Sequence, residues 1–153
     1  MLAKYDSKPS TNPFTYKKLF PWKIKSKIQL PRGTTRELAS SLYQLKLGHG
    51  YIRSYLHKLG HVTSDKCVCG IKETAQHLLL SCNDPKLVLA RSKLKNDLGG
   101  NRLTMALLLH TTIGIEKTLA FLKETSVCTR RNHLNRLERE LALEELGELE
   151  GEE

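Results

Sequence analysis

From Thr34 onward, apolar residues recur at helical spacing. Leu38, Leu42 and Leu45 fall at i, i+4 and i+7 behind a Thr34–Glu37 capping box, and Gly48 closes the segment. Ile52, Tyr55, Leu56 and Leu59 predict a second short helix stopped by Gly60. Glu73 to Leu80 has room for two turns. Asp84-Pro85, an N-cap followed by proline at the first helical position, opens a helix bearing Leu87, Val88, Arg91, Leu94 and Leu98 that ends at Gly99-Gly100. Two further helices are predicted over 103–109 and 115–123, where Ile115, Leu119 and Leu122 share a face. The last, over about 129–146, carries Leu134, Leu137 and Leu141. Its glutamates crowd the C-terminal end, where the macrodipole is negative, so the pattern predicts fraying and a mobile segment beyond Leu146.

Before Thr34 the pattern changes. Pro9, Pro13, Pro21 and Pro31 break any helix, while Trp22, Ile24, Ser26, Ile28 and Leu30 alternate with Lys23, Lys25, Lys27 and Gln29, which is strand periodicity with one lysine-bearing face. No second strand offers itself as a partner. The chain therefore reads as mostly α. It divides into an extended basic arm over 1–33, a small helical domain over 34–126, and a C-terminal helix with an acidic tail over 127–153.

Charge sharpens this division. The 153 residues hold 25 Lys and Arg against 16 Asp and Glu, a net charge of +9. Eight Glu and a single Arg lie between Glu138 and Glu153, so residues 1–137 carry 24 basic and 8 acidic side chains. That body is built to meet a polyanion, and the tail is either a solvated appendage or an internal competitor for the same basic surface. No apolar run approaches the ~18 residues that cross a bilayer, and the first residues lack a secretory signal. The expectation is an intracellular protein, nuclear or cytoplasmic, with no membrane partner.

In such a reducing compartment, clustered thiols are more often metal ligands than disulfides. Cys67, Cys69, His77 and Cys82 form the pattern CxCx7Hx4C. Three thiolates and one imidazole satisfy the tetrahedral demand of zinc, and Gly70 allows the tight loop that turns Cys67 and Cys69 toward one ion. An uninterrupted α-helix through His77 would carry Cys82 about 140° away from it, so the helix must end near Ser81, where Asp84-Pro85 forces a break. The alternative is a set of buried free cysteines beside a surface histidine. His57 and His61, separated by the stop at Gly60, make a poor second pair. His49 reads as a loop residue and Cys128 as a small apolar one.

Leu45-Lys46-Leu47-Gly48-His49, then Tyr55-Leu56-His57-Lys58-Leu59-Gly60, then Cys67-Val68-Cys69-Gly70, Glu73-Thr74, His77-Leu78-Leu79, Cys82 and Arg91 together resemble a known segment. It is the C-terminal zinc-binding segment of non-LTR (LINE-type) retrotransposon polyproteins of fungal type, which follows reverse transcriptase and RNase H domains. The resemblance spans about residues 38–125, departing where Lys46 and Leu47 stand for the family's frequent Arg and Thr. It implies a free-standing remnant or domesticated fragment without the catalytic domains, with Cys67, Cys69, His77 and Cys82 as ligands of a structural Zn2+ and nucleic-acid contact as the inherited role.

The residues point the same way. Only eight scattered carboxylates precede the tail, too few and too dispersed for metal-assisted phosphoryl chemistry, and a filled tetrahedron leaves no open position for water. The expectation is a binding module, neither an enzyme nor a receptor for a small-molecule substrate. Tyr5, Phe14, Tyr16, Phe20 and Trp22 interleave with lysines as bases and phosphates would require. The candidate nucleic-acid contacts are Lys17, Lys18, Trp22, Lys23, Lys25, Lys27, Arg53 and Lys58, without base preference and without a choice between RNA and DNA. Two rival readings stay open: a protein-interaction module acting through the last helix, and decayed coding sequence with no selected role.

Overall fold

A computed structural model describes residues 30–151. Among the described residues six α-helices follow one another: α1 (Arg36–Leu47), α2 (Arg53–Lys58), α3 (Pro85–Asp97), α4 (Met105–His110), α5 (Thr112–Thr125) and α6 (Arg130–Glu150). A single wide turn, His77–Ser81, lies between α2 and α3. The mostly helical class expected from the pattern is the one observed. The alternating stretch over 22–30 lies, but for Leu30, outside the described residues, as do Lys17, Lys18, Trp22, Lys23, Lys25 and Lys27. Among the described residues no helix is long and apolar enough to cross a membrane.

The caps show why the helices lie where they do. Gly48, at φ 68°, ends α1 in the left-handed conformation that costs glycine nothing. Asp84 Oδ1 accepts from Lys86 N at 2.9 Å with Pro85 behind it, opening α3. At the start of α1 the register differs by one from the capping box. Thr35 is the N-cap, its hydroxyl accepting from Leu38 N, whereas the Thr34 hydroxyl donates to Pro31 O at 2.6 Å. The turn after Pro31 has claimed Thr34, so the next threonine caps.

Helix α5 is the centre of the domain. It packs against α1, α3 and α4. Leu42 and Leu45, Ala90 and Leu94, Leu108 and Leu109, and Ile115, Leu119 and Leu122 close one core. The approach of α4 to α5 is set by Gly114. A Cβ there would run into the Leu107 carbonyl and the Thr111 hydroxyl. Helix propensity alone says that Gly114→Ala stabilises by about 1 kcal/mol. The Leu107 carbonyl belongs to a neighbouring helix and cannot yield, so we expect a net loss of about 1–3 kcal/mol. Chemical denaturation of the variant decides the sign.

Helix α6 is joined differently, for it buries no residue. It runs unbroken to Glu150, four residues beyond the end expected near Leu146. Leu, Glu and Ala are strong helix formers, and summed over this segment their propensity outweighs the unfavourable dipole. Arg136 Nε lies 3.4 Å from Glu140, an i, i+4 pair on the same helix.

Candidate metal centre

The lobe between α2 and α3 has little regular structure, and its backbone bonds fix it. Lys66 and Lys72 form a lone antiparallel bridge. Between them Cys67 N donates to Ile71 O at 2.7 Å and Gly70 N to Cys67 O at 2.9 Å. Gly70 sits at φ 89°, which only glycine adopts without strain, and this closes the loop carrying Cys67 and Cys69. Thr74 Oγ1 accepts from His77 N at 3.1 Å and starts the helical turn that presents the imidazole.

The rest of that turn explains the spacing. Cys82 N donates to His77 O at 2.8 Å, a bond reaching five residues back instead of four. The widened turn stacks residues five apart as an α-helix stacks residues four apart, so Cys82 returns to the side of His77. Cys82 itself is extended, at φ −61° and ψ 133°. The turn ends at Ser81, as the sequence required, but the backbone brings Cys82 round before the chain leaves the helix.

The ligand atoms of Cys67, Cys69, His77 and Cys82 all lie within 4.8 Å of one another. Cys67 Sγ is 3.6 Å from Cys82 Sγ, and Cys69 Sγ is 3.1 Å from His77 Nε2. Two thiolates each ~2.3 Å from one tetrahedral ion would stand roughly 3.8 Å apart, so the donor set fits a metal with small adjustment. Cys67, His77 and Cys82 are buried and join the main apolar core through Leu78 and Leu79. A cluster of three cysteines and one histidine able to hold a metal ion is therefore part of the fold.

Electrostatics explains what such an ion would do. Burial pushes the Cys67 and Cys82 thiols up, while backbone N–H groups, first that of Ile71, pull Cys69 down. A divalent cation overrides the burial effect, because a coordinated thiol is deprotonated outright. Binding must then release protons, so metal affinity should fall as pH drops. A chelator competition run between pH 8 and pH 6 reads this; a pH-independent affinity would exclude thiolate ligation.

Arg91 supports the turn from α3. Its Nε donates to Leu79 O at 3.0 Å, Nη1 to Cys82 O at 2.9 Å and Nη2 to Leu78 O at 3.4 Å. These are carbonyls of the widened turn and its end, and the guanidinium stands beside Cys82, facing a centre that three thiolates and a divalent ion would leave negative. The sequence carried a signal for this role, a cation in the apolar register Leu87–Leu94.

Glu73 has a role that the apolar pattern did not reveal. Its carboxylate is buried, accepting from Arg53 N at 3.0 Å and from Arg136 Nη1 at 2.7 Å. Glu73 O also accepts from Ser54 N at 3.1 Å, so this residue caps α2, which has no side-chain cap of its own. Arg136 Nη2 donates to Lys66 O, tying α6 to the same lobe. Arg53 corrects the sequence reading. It is 4% exposed, with Nη2 at 3.0 and 3.1 Å from the two Glu140 oxygens, and is not a surface cation open to phosphate. Lys58 is exposed at the end of α2.

The remaining candidates fall into place. His49 stacks on Tyr55 with centroids 4.4 Å apart, while His57 and His61 are exposed on either side of the helix end. Cys128 is buried away from the cluster, its carbonyl accepting from Ser41 Oγ at 3.2 Å. Comparison with known protein families, curated proteins and solved structures returns no match to this chain.

Proposed function

We propose that this chain is a structural-zinc module that binds nucleic acid with little sequence preference, of the kind found at the C-terminal end of non-LTR retrotransposon polyproteins. The observation that carries the reading is the Cys3His donor set within 4.8 Å, closed by four protein ligands and built into the core. Zinc suits this set best, since soft thiolates with one imidazole in a tetrahedron select it over harder cations. Four protein ligands leave no place for a reactive water, so the ion holds the lobe and the module is not an enzyme.

Nucleic acid is the partner that the charge favours. The excess of basic residues before the tail supplies phosphate attraction, and that attraction is largely blind to base sequence. Titration of the zinc-loaded chain with single- and double-stranded oligonucleotides should give log affinity falling linearly with log salt. Replacing Lys23, Lys25 and Lys27 with Gln should flatten the slope by about 0.7–0.9 for each phosphate no longer neutralised. Absence of binding at low salt would remove the reading.

One observation favours a second reading. Leu141, Leu143, Leu146 and Leu149 on α6 are each 59–69% exposed, more apolar surface than a solvated acidic helix needs. A protein-interaction role through α6 would show as association that persists at high salt.

A further inference from the structure

Arginine and lysine gather in two open grooves of the described surface whose charge separates them. The first, between α1 and the start of α6, holds Arg36, Arg130 and Arg131 but also Glu37 and Glu138. Its carboxylates would repel a phosphodiester as its guanidinium groups attract one. The second lies between the wide turn at the metal centre and α3, with Arg91, Lys95 and Arg102 in its walls and no carboxylate at all. Ser81 adds a hydroxyl, the Ser92 hydroxyl being donated to Val88 O at 3.0 Å, while Leu80, Val88 and Leu103 line it with apolar surface.

Two of the three cations of this second groove are not spent elsewhere. Among the described residues neither Lys95 nor Arg102 takes part in an ion pair, and the ion pair on α3 is formed by Lys93 with Glu124. Both residues are exposed. Arg91 is committed to the carbonyls of Leu78, Leu79 and Cys82 and shapes the wall of the groove, so the two free cations are Lys95 and Arg102. Two unpaired cations beside the Arg91 guanidinium, with no carboxylate among them, form the local field that a chain of phosphates follows.

We propose that this groove, walled by Arg91, Lys95 and Arg102, is the phosphate track of the module, where a nucleic-acid backbone lies against the metal lobe. The proposal rests on the nucleic-acid reading and gives it a place. It also gives the metal a part in recognition. Leu80 and Ser81 belong to the turn between the ligands His77 and Cys82, so the ion that holds that turn also sets one wall of the track.

The test uses the full zinc-loaded chain and fluorescein-labelled oligonucleotides, single- and double-stranded, across a salt series. Lys95→Gln with Arg102→Gln removes two cations while leaving Arg91 to hold the turn. The salt slope should flatten by about 1.4 on a single strand and about 1.8 on a duplex, with zinc content and melting temperature unchanged. Arg36→Gln with Arg131→Gln removes the same charge from the other groove and should leave the slope as it was. If the wild-type chain binds oligonucleotides and the Lys95/Arg102 variant keeps its slope, the track is elsewhere and the general reading stands. Equal flattening in both variants would mean diffuse attraction and would also overturn the track. If the wild-type chain binds no oligonucleotide, or binds anionic vesicles alone, the general reading falls and the track with it.

Discussion

Cys82→Ser and Cys67→Ser should each abolish stoichiometric zinc. A ligand contributes more than the surrounding shell, whose loss alone costs about 10–100-fold in affinity, so removal of a thiolate should weaken binding by at least the upper end of that range. The effect on folding should be large as well, because binding energy at a structural site is folding energy. It should also be local at first. Cys67, Leu78, Leu79 and Cys82 share one apolar cluster with α1, α3 and α5, so the helices retain much of their packing without the ion, while the loop around Gly70 has little else to hold it. Native mass spectrometry counts the metal, and hydrogen exchange should show the loop at 66–72 opening before the helices. Cys128→Ser is the control: it lies outside the Cys3His set and should leave metal content at one per chain. If both ligand variants retain zinc and the wild-type melting temperature, the Cys3His assignment is wrong.

How far the sequence reached depends on the range of each interaction. The four ligands were legible because they lie within sixteen residues and the chemistry of zinc restricts the donor types. Gly48 and the Asp84-Pro85 pair were legible because caps are local. Thr34 misled by one position, since whether it or Thr35 caps α1 turns on the Pro31 carbonyl, which a capping pattern does not consult. Arg53 misled because charge on a short helix reads as surface, while its partner Glu140 is 87 residues further along the chain. The wide turn at His77 was half legible. The ligand spacing demanded a departure from α geometry, but it did not reveal the bond reaching five residues back or the support from Arg91, nine to thirteen residues further on, to the carbonyls of Leu78, Leu79 and Cys82. Glu73 was legible only as part of the resemblance, because its roles are set by partners 20 and 63 residues away.

Glu73→Ala should be the most destabilising change outside the metal ligands. The side chain of Glu73 is 7% exposed and that of its partner Arg136 is 18% exposed, so the pair is largely out of water. Breaking such a pair strands a charge and costs about 3–5 kcal/mol, far above the ~0–1 kcal/mol of a surface pair. Here the same deletion also leaves Arg53 N, at the start of α2, without its acceptor. For a chain of this length the loss corresponds to a fall in melting temperature of roughly 6–20 °C. Glu73→Gln separates the two contributions. The amide oxygen can still accept from Arg53 N, whereas the charge of Arg136 keeps only the half-exposed Glu140 as a partner, so the variant should fall between wild type and Ala. Because α6 buries nothing and is joined to the lobe through Arg136, Arg53 and Glu140, loss of Glu73 should also loosen α6. Protease nicking within 130–150 should then become faster in Glu73→Ala while zinc stays bound. A variant with wild-type melting and unchanged nicking would show that α6 is held by something other than this carboxylate.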